Sequence, residues 1–132
     1  MKLITRDTDY AIRALRYMAE RKGRVVSAGQ LVDALKIPRP FLRKLLQVLH
    51  KKGILSAYKG KGGGFELAKP AGEIVVAEIA GIFQGGLRLN ECVFKRKLCP
   101  NRSTCALRRE LADIERYALD KLSAVSIASL GE

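Results

Sequence analysis

The chain has 132 residues, enough for one domain with a modest core and a short appended element. Its 48% hydrophobic and 29% charged residues exclude a disordered chain, and no run of 18 apolar residues exists to span a membrane. The formal net charge of +12, from 25 Lys and Arg against 13 Asp and Glu, points to a polyanion, with nucleic acid ahead of an anionic membrane surface.

The opening MKLITRDTDYAIRALRYMAE has no apolar core or small-residue cleavage site of the kind a signal peptide carries. It reads as a helix, and the chain as cytoplasmic. Ala11, Ile12, Leu15, Met18 and Ala19 recur at three- and four-residue spacing, with Arg13, Arg16 and Glu20 off that stripe. Thr5 or Asp7 is placed to cap it, and Gly23 to end it. A second helix starts at Ser27, where Ser27 and Gln30 match the S-x-x-Q capping box. Leu31, Val32 and Leu35 face inward. Lys36-Ile37-Pro38 breaks this helix, because Pro38 lacks an N–H and restricts Ile37.

A third helix is predicted from about Arg39 to Lys51. Pro40 is tolerated in its first turn, and Gly53 supplies the stop. Leu42, Leu45, Leu46 and Leu49 form its buried stripe, leaving Arg39, Arg43, Lys44, Gln47 and Lys51 to point elsewhere. Ile54 to Tyr58 and Phe65 to Leu67 are strand-like runs around a glycine-rich, cationic tip, so a hairpin is expected. A short helix is expected over 75–84 and a loop over 85–103. A long helix is expected from Ser103 or Thr104 to about Leu122, with Leu107, Leu111, Ile114 and Ala118 on one stripe. Ser126 is placed to cap a last turn.

Two helices joined by a tight turn and followed by a hairpin make a winged helix-turn-helix. The fold class expected is mainly α with a small β-wing and a long C-terminal helix for dimerisation. The divisions expected are 1–84 for DNA binding, 85–103 for a cysteine loop and 104–132 for dimerisation. A helix fits the major groove, where base edges carry a distinct donor and acceptor code. Glycines let a hairpin approach the sugar-phosphate backbone closely. The candidate DNA-contacting set is Ser27, Arg39, Pro40, Arg43, Lys44, Gln47 and Lys51, with Lys59, Lys61 and Gly63 on the hairpin. The alternative for these cations is a solvated helix face.

The cysteines stand as Cys92-x6-Cys99-x5-Cys105 in a polar loop. Three thiolates so spaced suit an iron–sulfur cluster, zinc or copper(I). The alternative is three incidental thiols. The fourth ligand is left open among Asp9, Glu91, Glu110, Asp113, solvent or a second subunit. A thiol oxidoreductase is disfavoured, because the single histidine, His50, sits in the third helix and no Cys–His pair is evident in the loop.

With these motifs in view, the chain resembles the IscR/NsrR family of bacterial winged-helix repressors. The resemblance covers nearly its whole length. It rests on DYAIRALRYMA, IPRPFLRKLLQVLHKKGIL, KGKGGGFELAKP, the three-cysteine loop and the VSIASL ending. It implies a homodimer on an inverted-repeat operator in double-stranded DNA. It also implies DNA contacts at Arg39, Pro40, Arg43 and Lys59, and an iron–sulfur cluster (2Fe-2S or 4Fe-4S) on Cys92, Cys99 and Cys105. IscR-like members place a histidine shortly after the third cysteine, where this chain has Ala106-Leu107-Arg108. NsrR-like members use an Asp in the TDYAIR motif of the partner subunit, which falls here on Asp9. The first cysteine gap is one residue longer than in those two members. The expectation is a transcription regulator, chiefly a repressor, whose DNA binding is switched by the state of a cluster, with a zinc-stabilised or cluster-free regulator as the alternative.

Overall fold

Capping chemistry places the first two helices. In the computed structural model, which describes residues 3–87 and 106–130, α1 spans Arg6–Glu20. Thr5 is its N-cap, and its hydroxyl accepts from the Thr8 amide at 3.4 Å. Asp7 and Asp9 lie in the first turn, where negative charge meets the positive end of the helix dipole. Of the predicted stripe Ala11, Leu15 and Met18 are buried and Ile12 and Ala19 half-buried, while Ala14, which the spacing did not include, is fully buried. Gly23, with φ of +78°, turns the chain after α1.

α2 spans Ala28–Leu35 and carries the full capping box. The Gln30 amide donates to Ser27 Oγ at 3.1 Å, and the Ser27 amide donates to Gln30 Oε1 at 2.8 Å. Its C-cap, Lys36, is the one non-glycine residue with positive φ among the described residues. α3 spans Arg39–Lys51. Between the two helices Ile37 is only 2% exposed, so the turn is plugged into the core rather than spread over it. Leu42, Leu46 and Leu49 are fully buried and Leu45 nearly so. Each such leucine contributes roughly 1.5–3 kcal/mol through burial.

The wing is β1 (Leu55–Tyr58) paired antiparallel with β2 (Gly64–Leu67), Leu55 opposite Leu67 and Tyr58 opposite Gly64. Val26 bridges Phe65 through two 2.8 Å backbone hydrogen bonds and ties the wing to the segment before α2. A close approach makes this possible. A Cβ on Gly64 would stand 2.4 Å from the Val26 carbonyl oxygen.

A 3₁₀ turn at Ala71–Glu73 leads into α4 (Val76–Gln84). α5 spans Ala106–Ser123, and its predicted start at Ser103 or Thr104 lies outside the described residues. α6 spans Ile127–Leu130, with the Ser129 amide donating to Ser126 Oγ at 3.2 Å. This last turn folds back on the head. Val75 bridges Ser126, the Ile127 amide donates to the Ile74 carbonyl at 2.8 Å, and the Ile127 side chain is fully buried. The architecture is mainly helical with a two-stranded wing, as expected.

Candidate nucleic-acid interface

The burial of the leucine stripe decides what α3 offers to solvent. With Leu42, Leu45, Leu46 and Leu49 inward, Arg39, Pro40, Arg43, Lys44, Gln47 and Lys51 are all exposed. Between residues 36 and 52 the chain carries six cations and no Asp or Glu, so nothing on the helix itself neutralises this face. Proline at the helix start leaves the first turn without a side-chain cap. The amides there stay open, and a helix N-terminus with open amides favours phosphate.

Arg39 lies beside the start of α2. A Cβ on Gly29 would stand 3.7 Å from its Nη2. Ser27 is half-buried, and its hydroxyl is engaged in the capping box. In that box the oxygen accepts, so the hydroxyl proton remains a donor. Phe41 was not singled out in the sequence. It is 43% exposed in the first turn of α3, and the Arg6 guanidinium sits 4.8 Å from its ring centroid. An aromatic off the buried stripe is the only sequence signal for it.

The hairpin tip is shaped by glycine. Gly60 and Gly62 have φ of +88° and +79°, and the Gly63 amide donates to the Gly60 carbonyl at 3.0 Å. A Cβ on Gly63 would stand 2.3 Å from the Tyr58 carbonyl oxygen, so only glycine closes this loop. Lys59 and Lys61 are exposed on it. Behind the tip, the Tyr58 hydroxyl donates to Glu66 across the strands, and this hydrogen bond raises the tyrosine's pKa above its usual value. His50 Nδ1 lies 3.1 Å from the Leu55 carbonyl oxygen, joining the end of α3 to β1. With a carbonyl as its partner, Nδ1 must be the protonated nitrogen. His50 is exposed at the end of α3, and no sequence signal marks this hydrogen bond.

Asp9 is half-buried in the first turn of α1, with its carboxylate 3.0 Å from the Arg13 guanidinium one turn on. Cys92, Cys99 and Cys105, together with Glu91, lie outside the described residues. Glu110 and Asp113 are exposed on α5.

A second feature that sequence reasoning missed lies at the end of α4. The Gln84 side chain uses both ends of its amide. Oε1 accepts from the Thr5 amide at 3.0 Å and from the Thr8 hydroxyl at 2.8 Å, while Nε2 donates to the Leu3 and Gly86 carbonyls at 2.8 and 2.9 Å. Thr8 is the one fully buried polar residue among those described. The clip joins the start of α1, which carries Asp9, to the exit of α4. A glutamine at a helix end has no sequence signature that separates it from a solvated one.

α5 has no fully buried residue. Leu111 and Ala118 are half-buried, whereas Leu107, Ile114 and Tyr117 are 66%, 51% and 64% exposed. The predicted stripe is therefore uneven, with Leu111 and Ala118 half-buried and Leu107 and Ile114 exposed. No helix among the described residues is long and apolar enough to cross a membrane.

Comparison with known proteins agrees with this architecture. A protein of Aquifex aeolicus (strain VF5) assigned as an HTH-type transcriptional regulator is 29% identical over 123 residues, spanning 92% of this chain and 85% of its own. The structure of CymR, the global cysteine regulator of B. subtilis, superposes with a TM-score of 0.81 at 18% identity, covering 99% of this chain and 97% of that one. T. potens IscR superposes with a TM-score of 0.77 at 21% identity, covering 98% and 85%. The family model for Rrf2, described as an iron-dependent transcriptional regulator, matches residues 4–132. The chain therefore belongs to the Rrf2 family of transcriptional regulators, DNA-binding proteins rather than enzymes.

Proposed function

We propose that the protein is a cytoplasmic, homodimeric repressor that binds an inverted-repeat operator in double-stranded DNA and is switched by an iron–sulfur cluster. The observation that carries the DNA reading is the acid-free cationic face of α3 beside a glycine-built tip bearing Lys59 and Lys61. Arg39, Pro40, Arg43, Lys44, Gln47 and Lys51 enter the major groove, with Arg43 reading a base edge. Lys59, Lys61 and the Gly63 backbone follow the phosphates of the adjacent minor groove. Two copies pair through the solvent side of α5.

Cys92, Cys99 and Cys105 supply the thiolates of a 2Fe-2S or 4Fe-4S cluster, and Asp9 of the partner subunit completes the set. Membership in a family described as iron-dependent supports this part, as does the donor chemistry of the loop. The half-exposed Asp9–Arg13 pair is no obstacle to ligation, since an exposed i,i+4 pair is worth only about 0.3–0.5 kcal/mol. A bound cluster supplies a redox- and nitric-oxide-sensitive centre. Its loss would remove a charge and a cross-link held by those residues.

Binding to a library of operator sites tests the first part. Arg43→Ala should lose roughly 1–3 kcal/mol and relax preference at one position, whereas Lys59→Ala should weaken all sites alike. Equal, sequence-independent losses would remove Arg43 from base reading. Anaerobic purification tests the second part. A brown protein containing iron is expected, and its colour should vanish in Cys99→Ala. Colourless protein containing zinc would replace the cluster with a structural metal.

A further inference from the structure

Beyond the cationic face of α3, the described residues carry a second concentration of positive charge, and it surrounds a cavity. A half-open groove of about 700 Å³ lies between the C-terminal end of α1, the base of β2, the 68–72 segment and α6. That size is in the range of small-molecule sites, roughly 300–1,000 Å³. Its floor is apolar, built from Met18, Leu67, Pro70, Ala71 and Ile127. Its walls hold the cations Arg16, Arg21, Lys22, Arg24 and Lys69 against only two acids.

Both acids are already engaged. Glu20 lies 3.8 Å from Arg21, and Glu66 holds the Tyr58 hydroxyl. Arg21 is also occupied, stacked 3.5 Å from the Tyr17 ring centroid, and Lys69 pairs with Glu78 at 3.3 Å. Arg16, Lys22 and Arg24 are exposed and make no ion pair among the described residues. Glu66 keeps its charge, since the tyrosine hydroxyl is neutral, so Arg16, Lys22 and Arg24 leave a net positive wall around an apolar floor, which matches a ligand with an anionic head and an apolar body.

The groove is distinct from the surface offered to DNA. α3 contributes nothing to its lining, and the wing contributes its base, Glu66 and Leu67, not the tip at Lys59–Gly63. We infer that this groove binds a small organic anion of metabolite size, its charged group held by Arg16, Lys22 and Arg24 and its apolar part lying on Leu67 and Ala71. An occupant there touches α1, the wing's base and α6 at once, a position suited to an effector. The inference is independent of the cysteine loop and of the assignment of base-reading residues.

Phenyl phosphate is the probe. Added to the ¹⁵N-labelled full chain without DNA, it should shift amide resonances of residues 16–24, 66–72 and 127–128. It should bind at least about tenfold more tightly than phenol, which lacks the charge, or inorganic phosphate, which lacks the apolar body. Arg16→Ala with Arg24→Ala should weaken binding by about tenfold or more. Ala128→Trp fills the groove from an exposed position and leaves every charge in place, and it should abolish the shifts. Shifts confined to α3 and the wing tip would overturn the inference, since the probe would then be imitating DNA phosphate. Equal binding of inorganic phosphate, binding that survives both variants, or no binding in the millimolar range would overturn it too.

Discussion

Replacing Gln84 with leucine should destabilise the head without touching either surface assigned to DNA. The side chain is half-buried and makes four hydrogen bonds, all between 2.8 and 3.0 Å. An average net worth of about 1 kcal/mol per bond would give about 4 kcal/mol. That is an upper figure. Thr8 Oγ1 keeps a second partner, Thr5 Oγ1, at 3.1 Å, and water can reach some of the groups left behind at a half-buried position. The buried Thr8 hydroxyl and the Thr5 amide lose most, so a loss of about 2–3 kcal/mol is expected. For a chain of this length that corresponds to a fall in Tm of about 6–12 °C. Thermal unfolding followed by circular dichroism, at one fixed protomer concentration, reads it directly. Thr8→Val removes the other end of the best-buried bond, and the double variant should show a coupling of about 0.5–3 kcal/mol. A leucine variant within about 0.5 kcal/mol of the parent, or losses that simply add, would show that the amide is solvated in both states and that the clip holds nothing.

Three other outcomes follow from the geometry. Gly63→Ala places a methyl 2.3 Å from the Tyr58 carbonyl, so the tip must open; operator affinity should fall in a fluorescence anisotropy titration while Tm stays nearly unchanged, because the tip carries no core contact. Ile114→Glu puts a charge on the solvent side of α5, and light scattering should show a dimer become a monomer with its helical content kept. Tyr58 is held protonated beyond its usual range by Glu66, so the bond's contribution to the wing is complete below the unfolded tyrosine's pKa and is lost only as the pH rises through the higher folded value. Among the four tyrosines, one should ionise earlier in Glu66→Gln when tyrosinate absorbance is followed, and stability at neutral pH should carry no trace of the titration.

The elements were legible where local rules act within one turn. The Ser27–Gln30 box, the leucine stripe of α3 and the glycines around the wing each declare their conformation within a few residues, and their boundaries emerged within about one residue. The exposed cations of the candidate interface were legible for the same reason, as the complement of the buried stripe. Contacts between distant residues were not. Gln84 meets Thr8 across 76 positions, Val26 meets Phe65, and Val75 meets Ser126, and no periodicity encodes such pairings. The stripe on α5 was read as one face because spacing records only that residues align. It does not record that Leu111 and Ala118 are half-buried while Leu107 and Ile114 are exposed. The groove beneath Arg16 and Arg24 had no sequence counterpart either, since its walls come from four separate segments.

The return of the C-terminal turn to the head has a consequence for biosynthesis. Ile127 is fully buried in the same core as Leu15, 112 residues earlier, and α6 packs on α1. A ribosome adding about 5–20 residues per second takes roughly 6–22 s to cover that interval. Through all of it, the apolar surface of α1 that α6 will cover waits without its partner. The DNA-binding head therefore cannot reach its final stability one piece at a time as it emerges. A nascent chain arrested between α1 and Ile127 keeps that surface uncovered.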